Sequence, residues 1–180
     1  MKTKVIQFGL IGVVMLLLLN GCKTVRGGGW INNWNGEKDG KSTFGINITC
    51  KNSEYTGHFT FHDHGDKFKG PDGKLRRVSL KARIVGALES GTSCGDANIS
   101  LMGLGEHCTS YMFTYRAQPD KSGAEGSGAI DFCDARYSED PDDKDELKIQ
   151  IDSAPSGGPY AGYLNYGALG GGNLIISVEK

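Results

Sequence analysis

Alternation of apolar and polar side chains with a period of two constrains this chain more than any other feature. Val78, Leu80, Ala82 and Ile84 alternate with Ser79, Lys81, Arg83 and Val85. Phe44, Ile46, Ile48 and Cys50 share one face of an earlier run, and Phe59 and Phe61 share one face of the next. Asn52, Ser53 and Gly57 lie between those two runs, where a turn belongs. Period two marks a half-buried strand, because successive side chains point to opposite faces of a sheet. Tyr111, Phe113 and Tyr115 mark a further strand, as do Ile130 and Phe132, then Leu147, Ile149 and Ile151, then Leu174 to Val178. Gly70-Pro71-Asp72-Gly73 is a turn signal. Beyond the first 22 residues no long 3.6-residue period occurs. The 28 glycines cluster between the alternating runs, as in a turn-rich sheet protein. The expected fold is all-β, an antiparallel β-sandwich of roughly eight to ten short strands.

The start of the chain sets its address. Lys2 and Lys4 precede an apolar run from Val5 to Leu19, which ends in Leu19-Asn20-Gly21-Cys22. A basic start, an apolar segment and a small residue before the cut make a secretory signal peptide. The run is shorter than the ~20 residues a membrane-spanning helix needs. Leu-x-Gly-Cys resembles the bacterial lipoprotein lipobox, which implies cleavage before Cys22 and lipidation of that cysteine. The expected organisation is a signal peptide at 1–21, a lipidated cysteine with a glycine-rich tether at 22–29, and one β-domain at 30–180. Such a protein is anchored in the cell envelope through Cys22, on the outer side of the cytoplasmic membrane or at the outer membrane. Lys23, rather than Asp, after the cysteine resembles an outer-membrane address in enteric-type Gram-negative bacteria. Loss of Lys2 and Lys4 leaves 18 of the 20 basic side chains against 21 acidic ones, a net charge of −3. That balance gives no overall attraction to nucleic acid or anionic lipid.

Four further cysteines, Cys50, Cys94, Cys108 and Cys133, imply two disulfides in an oxidising compartment, with three possible pairings. Cys94 and Cys108 bracket a short glycine-rich segment and are the favoured local pair, which leaves Cys50 with Cys133. No C-x-x-C pair is present to suggest cysteine-ligated zinc.

Candidate sites are few. His62 and His64 are alternate residues of a strand, about 6.6 Å apart on one face, a spacing that allows two-point ligation of zinc. Asp66 or His107 could add a ligand, whereas His58 lies about 13 Å along the strand. The competing reading is a pair of surface histidines hydrogen-bonded to the neighbouring turn. Asp140, Asp142 and Asp143 lie in an acidic run that could take calcium, although the order of an EF-hand loop is missing. A solvated loop explains the run more simply. Trp30, Trp34, Tyr160, Tyr163 and Tyr166 offer flat faces that could stack on sugar, against the alternative of ordinary packing. Gly91-Thr92-Ser93-Cys94-Gly95 has the wrong spacing for a nucleophile elbow, and no catalytic residue is assigned.

Glycine triplets precede apolar residues at both ends, Gly27-Gly28-Gly29-Trp30-Ile31 and Gly170-Gly171-Gly172-Asn173-Leu174-Ile175. Between them stand Thr43-Phe44-Gly45-Ile46-Asn47 and Gly57-His58-Phe59-Thr60-Phe61-His62-Asp63-His64-Gly65. The combination resembles the post-COAP family of bacterial extracellular β-domains over nearly the whole mature chain. Cys133-Asp134-Ala135-Arg136-Tyr137 and the acidic insertion after it depart from the family's turn. The resemblance implies a surface-attached β-sandwich module, a structural role for Asp63 and His64, and no transferable catalytic residue. The expected function is non-enzymatic: a membrane-anchored module for binding or envelope structure, with an envelope protein or glycan as partner. The alternatives are a metal-binding protein using His62 and His64, or a carbohydrate-binding module using the terminal aromatics.

Overall fold

The computed structural model describes residues 22–33, 40–52, 54–88, 108–118, 124–137 and 144–179. Ten strands follow in order: β1 (Cys22–Asn32), β2 (Lys41–Lys51), β3 (Glu54–Asp63), β4 (Phe68–Lys69), β5 (Leu75–Arg76), β6 (Ser79–Ala87), β7 (Cys108–Ala117), β8 (Glu125–Cys133), β9 (Glu146–Ile151) and β10 (Leu164–Glu179). Single 3-10 turns occur at Ala135–Tyr137 and Gly158–Tyr160. The all-β, antiparallel expectation holds. Two packed sheets do not form, because eight strands close into one barrel in the order β1-β10-β9-β8-β7-β6-β3-β2. β4 and β5 make a separate small hairpin around the Gly70–Gly73 turn.

Closure depends on the two glycine triplets. β1 pairs with β10 from Cys22↔Glu179 to Ile31↔Leu169, which sets Gly29 opposite Gly172. A Cβ on Gly29 would meet the carbonyl oxygen of Gly171, and one on Gly172 would meet that of Gly28, both 2.2 Å away. Gly172 also has φ +104°, which other residues rarely adopt. The triplets let the first and last strands approach closely enough to seal the sheet. Residues 22–29 are therefore strand, paired with β10 throughout and with β2 from Val25 on. They lie in the sheet, where their glycine content led to the expectation of a tether.

The barrel interior is solid. Phe59 and Phe61 of β3, Tyr111 and Phe113 of β7, and Phe132 of β8 are all less than 2% exposed, and Ile and Leu from β2, β6, β9 and β10 fill the space around them. Phe59 and Phe113 meet edge to face with ring centroids 4.8 Å apart, and Tyr55 and Tyr111 do so at 5.1 Å. Most outward side chains of the same strands are polar, including Asn47, Lys81, Arg83, Arg116 and Gln150, with Val85, Leu164 and Ile175 exposed among them. This is the inverse of a membrane-spanning barrel, which carries an apolar band outside.

Cys108 and Cys133 face each other across the β7–β8 ladder and are disulfide-bonded, with Cα atoms 4.0 Å apart. Cys50 is also disulfide-bonded, and its partner is not among the described side chains. Both expected pairings, Cys94 with Cys108 and Cys50 with Cys133, are thereby overturned. Strand register decided the bond, and the register is not visible from cysteine spacing. The bond closes a segment of sequence separation 25. Replacing both cysteines by Ala is expected to lower the unfolding free energy by roughly 3 kcal/mol. Urea titration under oxidising conditions measures it, and an unchanged midpoint would contradict a stabilising bond.

Candidate functional site

The two rims of the barrel differ. One rim carries Cys22, the β2–β3 turn and the β8–β9 connection. The opposite rim carries the β1–β2, β3–β6, β7–β8 and β9–β10 connections. Asp63, at the end of β3, enters that second rim and is 7% exposed. Its carboxylate accepts hydrogen bonds from Tyr163 Oη and Asn33 Nδ2, each at 2.7 Å, and from the Gly65 amide at 2.8 Å. Asn165 Nδ2 lies 3.0 Å from Tyr163 Oη and from Ser42 Oγ, and 2.9 Å from Asn33 Oδ1. Ser42 Oγ in turn donates to Asn33 Oδ1 at 2.6 Å. Burial, then the Asp63 charge, pushes the Tyr163 hydroxyl well above its ordinary pKa, so it stays a protonated donor. A cleft of about 480 Å³ opens beside Asp63, lined by Asn33, Gly65, Asp66, Lys67, Phe68 and Tyr163 among others. Within the network every acceptor oxygen of Asp63 is occupied by donors of the chain itself. That is the chemistry of a brace between the ends of β1, β2, β3 and β10.

A tyrosine plug completes the rim. Tyr160 stacks on Tyr115 with centroids 5.6 Å apart, and the Tyr115 hydroxyl donates to Gly157 O at 2.6 Å. Burial pushes the Tyr115 hydroxyl up to about 12. The Tyr160 hydroxyl lies 3.2 Å from the Arg77 and Ser79 carbonyls. Tyr160 and Tyr163 are 2% and 6% exposed. Neither can offer a face to a sugar, which corrects the aromatic reading at Tyr160. Trp30 is on the outer wall, but Lys41 Nζ sits 4.1 Å over its ring and the Gly170-Gly171 backbone lies against it. Trp34 lies outside the described residues.

The histidines occupy the outer wall as their spacing predicts. His62 and His64 have ring centroids 6.5 Å apart. His62 Nδ1 lies 2.6 Å from Ser79 Oγ, and His64 Nε2 lies 3.0 Å from Thr43 Oγ1, so each ring is engaged by a neighbouring hydroxyl. No group of three or more His, Cys, Asp or Glu that could hold a metal occurs among the described residues. His107, Cys94, Asp140, Asp142 and Asp143 lie outside the described residues, and nothing of the Cys22 side chain is described.

Sequence reasoning missed two features. Asp134, fully buried beyond the end of β8, carries a charged network of its own. The wall formed by β3, β6 and β7 also gathers cations. Register places Arg83 opposite His58 on one side and Thr114 on the other, and Lys81 opposite Arg116. Only the Lys81-x-Arg83 alternation was visible in the sequence. No protein-family model, no curated protein and no solved structure matches the chain.

Proposed function

We propose that this protein is an exported lipoprotein, held to the membrane by a lipid on Cys22, whose barrel is a non-enzymatic binding or structural module of the cell envelope. One observation carries the reading: a basic start and an apolar run lead into Leu19-Asn20-Gly21-Cys22, the order of a lipoprotein signal. Cys22 is the first residue of β1 and pairs with Glu179. The solid interior and the self-satisfied Asp63 network support a module that works through its surface. With Cys22 in β1, a lipid on that residue would turn the Cys22 rim toward the bilayer.

Palmitate labelling in a bacterial host tests the proposal. The wild-type protein should incorporate label and fractionate with membranes, and Cys22→Ala should do neither. Unlabelled wild-type protein, or a Cys22→Ala form that stays membrane-bound, would sink it.

A further inference from the structure

We propose that the outer wall of β3, β6 and β7 is a binding site for a linear polyanion, and specifically an acidic polysaccharide. The site is built by register. Lys81 and Arg83 project outward from β6 and are exposed, with His58 exposed on β3 and Arg116 exposed on β7 directly across the ladders. Lys81, Arg83, Thr114, Arg116 and Glu125 border a surface cleft of about 400 Å³. Arg116 Nε pairs with Glu125 at 2.9 Å, and both groups are exposed. Neither Lys81 nor Arg83 makes an ion pair among the described residues.

Two arguments point to a ligand. Like charges directly opposite each other on a sheet destabilise the pairing, yet Lys81 stands opposite Arg116. The Arg116–Glu125 pair offsets one of these charges, and Lys81 and Arg83 keep a local cost that a bound anion would relieve. The mature chain is also acidic overall, so this concentration of cations does not follow from composition. On the wall next to it, outward from β9, Glu146 stands with Lys148, and Asp131 of β8 is buried. The excess of cations therefore lies on the β6–β7 side, which steers an anion there.

The shape selects a chain over a plane. β3 to β7 is two of the eight steps around the closed barrel, so the patch curves through about a quarter of the circumference. A flexible polymer can follow that curve, and a flat bilayer cannot. The choice of a polysaccharide rests on the envelope location proposed above. The cation geometry does not depend on it, so failed lipid labelling and failed polymer binding are separate results.

The test uses the mature protein in neutral detergent, with dextran sulfate as probe and neutral dextran as control. Dextran sulfate should bind at low salt and release as salt rises. Lys81→Ala with Arg83→Ala should weaken binding about tenfold. Lys74→Ala, an exposed cation on the β4–β5 turn, should leave it unchanged, with melting temperatures confirming that all variants fold. Equal binding of neutral dextran, undiminished binding by the double variant, or stronger capture by phosphatidylglycerol vesicles through the same residues would each overturn the proposal.

Discussion

Asp134→Ala is expected to destabilise the barrel by about 3 kcal/mol, the upper range for taking a charged acceptor away from its buried donors. Asp134 is fully buried. Its Oδ2 takes the Arg136 Nη2 donor at 2.5 Å and the Ile176 amide at 2.9 Å, and its Oδ1 takes the Arg136 amide at 3.0 Å and Nε at 2.9 Å. The reason for so many donors lies in the sheet. β9 pairs with β10 only from Leu164 to Ala168, while β10 continues along β1 to Glu179. From there on, one edge of β10 has no β9 partner. Asp145 Oδ2 accepts the Leu174 amide at 3.0 Å, and Asp134 accepts the Ile176 amide two residues further. The two carboxylates take the place of missing strand, satisfying edge groups that would otherwise be buried unpaired. Chemical denaturation with amide exchange at Leu174 and Ile176 measures the effect. A loss below ~1 kcal/mol, or unchanged protection at Ile176, would show that the edge does not depend on Asp134.

The same site predicts acid sensitivity. Burial raises the Asp134 carboxyl, but the Arg136 guanidinium and the amides of Ile176 and Arg136 outweigh it and hold the pKa below the ordinary 3.8. A depressed folded value means the unfolded chain binds the proton more tightly. The stabilisation is therefore complete above about 3.8 and is lost as pH falls through the folded value. Asp134→Asn should flatten this part of the stability profile below that pH while also lowering stability at neutral pH.

The strands were legible where one face is core and the other is water. Phe44-x-Ile46-x-Ile48, Leu80-x-Ala82-x-Ile84 and Leu147-x-Ile149-x-Ile151 all lie in strands with those residues buried. β1 was not legible, because Gly27-Gly28-Gly29 has no side chains to alternate. Its stability comes from Gly171 and Gly172, about 140 residues away in sequence, and a local pattern cannot report a pairing made over that separation. Asp134 was invisible for a related reason, since its partners on β10 follow from where β9 stops. The cation wall likewise needs the β3–β6–β7 register before Arg116 and His58 join Lys81 and Arg83.

Asp63→Ala is expected to cost about 3 kcal/mol, from buried donors left without an acceptor. For a chain of this size that lowers the melting temperature by roughly 10 °C. The Asp63-His64-Gly65 sequence reads as a strand end, and the geometry supplies its physics. The carboxylate accepts the Gly65 amide two residues on, which turns the chain out of β3. It also gathers Asn33 from the end of β1 and Tyr163 from the approach to β10. One side chain thus fastens its own turn to two segments that are 30 and 100 residues distant from it in sequence. Tyr163→Phe removes one donor and leaves the others in place, so it should cost only about 1 kcal/mol. The two changes share a contact, and the double variant should lose at least ~0.5 kcal/mol less than the sum of the singles. Strict additivity would show that Asp63 and Tyr163 act independently and that the network is not one brace. Asp63→Asn discriminates further. It keeps the shape but turns a donor group toward Tyr163 or Asn33, so a stability close to that of Asp63→Ala identifies the acceptor charge, rather than volume, as what holds the rim together.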